Sequence, residues 1–165
     1  MYGGMTSVMG LWNQVTRLPA GRKVFSVLFS QKAPYFATIR PGFVELRPNY
    51  AELRIPKRRR VHNHIGTVHV IAICNGLEAA MGALAEVTVP THKRWIPKGM
   101  AVDYTAKATS DITCTAETDP EAWVGDDPDV PVRVRGVRED GTVVVEGVIR
   151  LWVTEKPDVA TRARA

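Results

Sequence analysis

The chain has 165 residues, of which 45% are hydrophobic and 24% charged, and its formal net charge is +5. This composition is typical of one globular domain with a sizeable core and argues against a disordered or fibrous protein. The basic surface favours anionic ligands in general, without distinguishing phosphate-bearing cofactors from acidic proteins, nucleic acid or membranes. Two cysteines, no CxxC motif and a start unlike a signal peptide predict reduced thiols in a cytoplasmic protein.

The first 33 residues predict two short helices. Apolar residues recur at helical spacing over 6–18 and 22–29, and Pro19 and Gly21 separate the two segments. We interpret both helices as caps over an open end of the core. The alternative, an anchor at a membrane surface, needs a strongly basic polar face, and this segment carries only a thin version of one.

After these helices the pattern changes to the alternation that is typical of short strands. Stretches at 35–40, 43–47 and 51–55 are separated by Pro-Gly and Pro-Asn turns, which predicts a meander. A run of four basic residues follows and ends in Arg59 and Arg60. Its simplest interpretation is a solvated strand end. Because it precedes the polar start of the next helix, it could also bind the phosphates of a ligand. Without interleaved aromatic residues it does not predict nucleic-acid binding.

The stretch 66–86 is nearly all small or apolar and contains no proline, lysine or arginine. It predicts one long buried helix. A length of roughly 30 Å would also suit a bilayer. However, His69, Asn75, Glu78 and Glu86 lie along it, and bare carboxylates are costly in lipid. We therefore predict a core helix that is wrapped by protein and does not span a membrane.

His69 and Glu78 cannot face one site from a single straight helix. Nine residues at about 100° per residue place them on roughly opposite faces, about 13 Å apart along the axis. If they share a site, either the chain around His69 bends before the helix begins, or a second copy supplies one residue. A two-fold antiparallel pair would create two identical sites. Asn75, three residues before Glu78, shares its face and could bind a common water.

The remainder of the chain predicts further strands and antiparallel pairing. A basic loop at 91–94 comes first, and an Asp-Gly hairpin turn lies at 140–141. The predicted strands are 100–108, 110–118, 130–137 and 142–154. A sheet of this size curled around one apolar helix is an α+β arrangement. The tail at 157–165 is predicted to be disordered.

The segment that leads into the helix resembles the hotdog superfamily of acyl-thioester enzymes. The similarity is to the small acyl-CoA thioesterases related to the phenylacetate-pathway enzyme, and most closely to an uncharacterised bacterial hotdog family. Those thioesterases have an asparagine, a glycine three residues on, a histidine three further, a glycine pair, and an acidic residue nine positions after the histidine. The matching residues are Asn63, Gly66, His69 and Glu78. The resemblance implies a hotdog domain over 34–156 that follows a helical segment at 1–33.

The resemblance also implies an activity, the hydrolysis of a thioester at a dimer interface. Glu78 would be the general base or nucleophile, the Val70 N–H would donate to the thioester oxygen, and His69 and Asn63 would orient the thioester and the water. The predicted substrate-binding residues are Gly66, Asn75, Arg59, Arg60, Lys93 and Arg94, and the last four are inferred from their charge alone as candidates for the coenzyme A phosphates. Coenzyme A would be part of the substrate, no separate cofactor or metal is implied, and the assembly would be a homodimer or a tetramer.

One departure and several alternatives accompany this hypothesis. Val70 and Ile71 replace the glycine pair, and their side chains would crowd the approach that glycine leaves open. This departure favours a non-catalytic acyl-thioester binder as the alternative function, and a hotdog hydratase or dehydratase is a third. His69 could simply cap the helix, and Glu78 could form a buried ion pair with an arginine. A metal site at His62, His64 and His69 would lack a carboxylate or cysteine ligand.

Overall fold

The computed structural model describes residues 7–125 and 127–157, so the tail predicted to be disordered lies outside the described residues from 158 onward. Its helices are α1 (Val8–Val15), α2 (Gly21–Lys32) and α3 (Val70–Thr88), and its strands are β1 (Gly42–Arg47), β2 (Tyr50–Ile55), β3 (Lys93–Tyr104), β4 (Ile112–Glu117), β5 (Asp129–Arg138) and β6 (Val143–Glu155). A 3₁₀ helix, Pro34–Ile39, connects α2 to β1. The structure is therefore α+β, as predicted.

The six strands form one antiparallel sheet in the order β1-β2-β4-β5-β6-β3. Strands β1, β2, β4, β5 and β6 pack against α3, and β3 approaches the helix through Trp95 near Gly82. On β4 the side chains of Ile112, Cys114 and Ala116 are fully buried, and the residues between them are not. This alternation turns one face of the sheet toward the helix. The result is a single core with α3 inside the curve of the sheet.

The apolar face of α3 is the centre of this core. Ile73, Leu77, Met81 and Leu84 are at most 1% exposed and lie one helical turn apart. Burying each large aliphatic side chain stabilises the fold by about 1.5–3 kcal/mol. In length and hydropathy α3 would also suit a bilayer, but more than half of that stretch is buried within the protein. It is the core helix that the sequence predicts.

Helix α1 packs on α3, and both N-terminal helices pack on β1. Their contact is aromatic: the Trp12 and Phe25 rings meet edge to face at 5.0 Å, and Phe25 meets Phe43 of β1 at 5.2 Å. Phe29 stacks on Phe36 of the 3₁₀ helix at 5.9 Å. Edge-to-face and offset pairs of this kind stabilise a core beyond the area that they bury. The N-terminal helices therefore cover the core on the side of β1.

The strand predicted at 35–40 is wrong, because this segment is the 3₁₀ helix Pro34–Ile39. Pro34 has the fixed φ that suits the first helical position. The Thr38 Oγ1 atom donates to the Tyr35 carbonyl at 2.7 Å, which closes a local turn. The inward-facing residues are Phe36 and Ile39, three apart, and that is the spacing of a 3₁₀ helix. The alternation over 35–40 was a coincidence of composition.

Strand β3 begins at Lys93, seven residues earlier than predicted, so the supposed basic loop at 91–94 is partly strand. Lys93 pairs with Glu155 at the end of β6, and the register shifts between Pro97 and Gly99. Proline is tolerated because β3 is an edge strand that pairs on one side only. The basic residues and the proline had concealed the strand from its pattern.

Candidate functional site

A tight turn over residues 63–67 leads the chain into α3. The Asn63 Oδ1 atom accepts hydrogen bonds from the Ile65 and Thr67 N–H groups, each at 3.1 Å, and Asn63 Nδ2 donates to Thr67 Oγ1 at 2.8 Å. Gly66 has a φ of 76°, a left-handed conformation that glycine adopts without strain. Asn63 and Gly66, both predicted as site residues, therefore shape this turn, and the Asn63 amide is engaged within it.

His69 caps the N-terminus of α3. Its backbone is extended, so the helix begins at Val70 and not at Gly66 as predicted. The His69 Nδ1 atom accepts from the Ile71 N–H at 3.1 Å, so a neutral ring carries its proton on Nε2. His69 therefore does cap the helix, which is the alternative role suggested by the sequence. The Nε2–H group takes no part in the cap and can donate a hydrogen bond to another group. The Val70 N–H has no hydrogen-bond partner in the part of the chain that the structure describes.

A cavity of about 280 Å³, here called the His69 cavity, lies beside this end of α3. Asn63, His69 and Val70 line one side, and Tyr104 at the end of β3 and Lys107 after it also contribute. Unpaired N–H groups at a helix N-terminus carry the positive end of the helix dipole. The cavity therefore suits an oxygen atom that develops negative charge.

Val70 and Ile71, which replace the glycine pair, line different cavities. Val70 lines the His69 cavity, whereas Ile71 is 53% exposed and lines a neighbouring cavity. The crowding expected from both side chains therefore falls on Val70 alone. The Val70 backbone N–H is still available as a donor, because valine has the same backbone N–H group as the glycine that it replaces.

Glu78 faces a separate cavity of about 370 Å³, here called the Glu78 cavity. Its side chain is half-buried and lies within 4 Å of no basic group in residues 7–125 and 127–157, so the predicted alternative of a buried ion pair is not seen. Most of the lining is apolar, and Lys32 and Glu86 are the other charged residues in it. The full lining is Val8, Phe29, Lys32, Ala33, Phe36, Glu78, Met81, Gly82, Glu86, Trp95 and Pro97.

Asn75 lies with His69 and not with Glu78. It is 6% exposed and lines a third cavity of about 230 Å³, between the 3₁₀ helix and α3, which His69 and Ile71 also line. The Asn75 Nδ2 atom donates to the Tyr35 carbonyl at 3.4 Å and to Thr38 Oγ1 at 3.3 Å. Within residues 7–125 and 127–157, the cavity that Asn75 lines does not include Glu78, and the Glu78 cavity does not include Asn75.

The predicted phosphate-binding residues fall in different places. Arg60 lines the cavity that contains Asn75, and Arg59 is exposed beside it in the chain. Lys93 and Arg94 line a fourth cavity, of about 380 Å³, near the start of β3. The histidines suggested for a metal also separate, since His62 lines the Asn75 cavity and His64 the His69 cavity. Residues 7–125 and 127–157 contain no group of three metal-ligating side chains.

Within one chain, the turn brings Asn63, Gly66, His69 and Val70 together and leaves Glu78 apart, as the helical geometry predicts. Sequence reasoning missed Lys107 of the His69 cavity and the aromatic cover of the Glu78 cavity, Phe29 and Phe36. No local signal could have found these residues. Phe29 and Phe36 reach Glu78 because the N-terminal segment folds back over α3, and Lys107 reaches the His69 cavity from the loop after β3.

Comparisons with known proteins agree with this architecture. The family model described as "Domain of unknown function (DUF4442)" matches residues 21–153. A structural-genomics protein, APC5556, is 40% identical, has a TM-score of 0.78, and the match covers 90% of this chain and 99% of that one. A Pseudomonas aeruginosa protein of unknown function, PA5026, described as a probable thioesterase, is 23% identical, with a TM-score of 0.71 and coverage of 84% and 97%.

A thioesterase of Haemophilus influenzae, HI1161, is only 10% identical but has a TM-score of 0.63 over 76% of this chain and 85% of its own. No significant match is found among curated proteins. The likenesses at low identity concern the fold, and that fold is the sheet wrapped around one helix described above. The chain thus belongs to the DUF4442 family and has the hotdog fold that its sequence resembles.

Proposed function

We propose that this protein hydrolyses an acyl thioester, with coenzyme A as the thiol carrier, at a site completed by a second copy of the chain. The observation that carries the proposal is the pairing of features along α3. In the described residues, the Val70 N–H beside His69 has no partner and suits an oxyanion, and the Glu78 carboxylate has no ion pair and suits a base. The fold is also that of PA5026, which is described as a probable thioesterase, and of the thioesterase HI1161, and this likeness agrees with that chemistry.

The geometry of β3 supports the contribution of a second copy. In the described part of the chain, this strand pairs only with β6 and forms an edge of the sheet, and Ile96, Met100 and Tyr104 on it are exposed. Long edge strands with exposed apolar side chains are templates for association. Its first half borders the Glu78 cavity through Trp95, and its last residue borders the His69 cavity.

Two β3 strands that pair antiparallel about an axis near Met100 would exchange these ends. The Tyr104 end of one strand would then lie beside the Trp95 end of the other, because antiparallel registers run in opposite directions. The His69 cavity of each chain would meet the Glu78 cavity of its partner. This arrangement resolves the separation of His69 and Glu78 in one chain and gives two equivalent sites in a homodimer.

In the proposed reaction, the Glu78 carboxylate accepts a proton from a water molecule, whose oxygen attacks the thioester carbonyl. The Val70 N–H donates to the resulting oxyanion, a contact typically worth about 3 kcal/mol at the transition state. His69 Nε2–H would orient the thioester, and Asn63 would hold the turn that positions His69. Collapse of the tetrahedral intermediate breaks the carbon–sulfur bond, and the departing thiolate takes the proton. Direct attack by Glu78 is the other route that its position permits.

The apolar lining of the Glu78 cavity is the feature that suits an acyl group. Ligand pockets of small molecules typically have volumes of about 300–1,000 Å³, with mostly apolar walls and a few polar groups. The cavity of about 370 Å³ lies at the lower end of this range, before any enlargement at an interface. A non-catalytic acyl-thioester binder is the second candidate, because the Val70 side chain narrows the approach where related thioesterases have glycine.

The test compares thiol release from short, long and aromatic acyl-CoAs by the parent protein, by Glu78→Gln and by Glu121→Gln. Loss of a general base lowers the rate by about 10²–10⁴-fold, so we expect that loss for Glu78→Gln. Glu121 is exposed in the short 3₁₀ helix Pro120–Trp123, lines neither cavity, and is the matched control, which should keep its activity. Saturable binding of acyl-CoA without turnover by the parent would establish the binder. Equal activity of Glu78→Gln and the parent would refute the role of Glu78.

A further inference from the structure

The cavity between the 3₁₀ helix and α3 contains buried polar atoms that nothing in the described residues satisfies. These atoms are His62 Nε2 and Asn75 Oδ1, on two residues that line the cavity. Only 6% of the Asn75 surface is exposed. Buried polar groups without partners are costly, so each one needs a ligand, a water or another reason.

One arginine lines the same cavity, and two others lie close to it. Arg60 lines it, and Arg58 Nη2 donates to the carbonyl of Thr38, another lining residue, at 2.8 Å. The Arg58 Nε–H is buried and has no acceptor among the residues that the structure describes. Burial, and then the like charges of Arg40 and Arg60, lower the pKa of the Arg58 guanidinium. No carboxylate lies within 4 Å of these three arginines in residues 7–125 and 127–157.

Arg40 has a φ of 50°, a left-handed conformation that favours glycine or asparagine. The backbone therefore gives no reason for an arginine at this position. A like-charge cluster of this kind destabilises a fold unless a bound anion neutralises it.

We propose that Arg58, Arg60 and His62, with the charge of Arg40 nearby, form a binding site for a phosphate-type anion at the cavity between the 3₁₀ helix and α3. Guanidinium groups match the geometry of phosphate oxygens and bind them through paired hydrogen bonds. A monocarboxylate would neutralise only one of three positive charges, whereas a phosphate or diphosphate neutralises two or more. The orphan acceptor Asn75 Oδ1 suits a hydroxyl or a water that accompanies the anion.

The site stands apart from Glu78 and does not depend on thioester hydrolysis. His69 lines both this cavity and the His69 cavity, so a phosphate bound here would lie next to the proposed reaction centre. The anion could belong to coenzyme A or be a separate phosphate or diphosphate. Both sources offer the same chemistry, and the ligands used in the test distinguish them.

The experiment measures binding of inorganic phosphate, pyrophosphate and free coenzyme A by calorimetry and by the thermal midpoint, at constant ionic strength set with chloride. The variants are Arg58→Gln and Arg60→Gln, and the control is Arg17→Gln, which removes an exposed charge in the turn between α1 and α2. Loss of a charge-assisted hydrogen bond should weaken phosphate-type binding about tenfold or more in both variants and leave it unchanged in the control.

A second readout separates ligand binding from a structural role. Relief of like-charge repulsion should raise the midpoint of ligand-free Arg60→Gln above that of the parent, although the same change weakens binding. Tighter binding of coenzyme A than of pyrophosphate would identify the carrier as the source, and binding of pyrophosphate alone would identify a separate ligand. Absence of binding by all three probes, or an equal loss in Arg17→Gln, would overturn the proposal.

Discussion

Two glycines on α3 differ in the space around them. A Cβ atom added at Gly76 would lie 2.4 Å from Ile55 Cδ1 and 2.9 Å from Cys114 Sγ, whereas one added at Gly82 would lie 3.6 Å from the Trp95 ring. Ile55 and Cys114 are fully buried and have no free space to move into. The first glycine is therefore required by packing, and the second is not.

Gly76→Ala should lower the free energy of unfolding despite the better helix propensity of alanine. Overpacking in a core typically costs about 1–3 kcal/mol. Gly82→Ala makes only an ordinary contact, so the propensity term should dominate and raise stability by up to about 1 kcal/mol. Urea unfolding of both variants measures the two changes in the free energy of unfolding, and an unchanged m-value would show that the unfolding transition is the same as in the parent. A stabilised Gly76→Ala would mean that β2 and β4 can move away from α3.

Among the secondary-structure elements, strand β3 gives the most specific prediction about how two chains assemble. Met100 lies near the proposed two-fold axis and is 37% exposed in the single chain. Met100→Lys would place two like charges close together at the paired edge, which is unfavourable. We expect this variant to remain folded, to dissociate into monomers in sedimentation experiments, and to lose thioester hydrolysis.

The matched control for this edge is Val124→Lys. Val124 is 84% exposed and lies after the short 3₁₀ helix Pro120–Trp123, away from β3. It should leave the oligomeric state of the protein unchanged. A dimeric Met100→Lys variant with full activity would show that β3 is not the interface.

Elements with a long, regular pattern could be predicted from the sequence, and short or interrupted ones could not. The burial of α3 followed from its apolar composition, and β6 followed from its alternation. The segment 35–40 was misassigned because Phe36, Thr38 and Arg40 mimic a strand, while the inward pair is Phe36 and Ile39. The first half of β3 was hidden because the sheet register, and not the side-chain pattern, determines where an edge strand begins.

The candidate site divides in the same way. The lead-in Asn63, Gly66 and His69 is local, so its spacing in the sequence was informative about the turn and the cap. The separation of Glu78 from His69 followed from helical geometry alone. The cover over Glu78 and the arginines that meet at Arg58 arise from contacts between segments far apart in the chain, and no pattern in the sequence indicates those contacts.

For the whole molecule, a composite site makes a prediction that no single-chain site can satisfy. Glu78→Gln and His69→Ala should each be inactive, because each removes one half of both sites. Mixed and allowed to exchange subunits, they should form heterodimers with one intact site. An equal mixture should recover about a quarter of the parent activity if subunits pair at random.

Two controls make this complementation decisive. Each variant mixed with itself should stay inactive, and mixtures that also carry Met100→Lys should not recover because they cannot pair. Recovery by the Met100→Lys mixtures, or none by the original mixture after demonstrated subunit exchange, would refute a site shared between chains.

The order of elements also bears on how the chain is made. Helix α3 ends at Thr88, and three of the strands that cover it, β4 to β6, lie between Ile112 and Glu155. At synthesis rates of about 5–20 residues per second, the ribosome exposes this helix for several seconds before its cover exists. During that interval it resembles a nascent membrane segment, and Glu78 and Glu86 are the residues that oppose its insertion into lipid. Glu78, which is proposed to act in catalysis, would thus also help to keep the newly made helix out of the membrane.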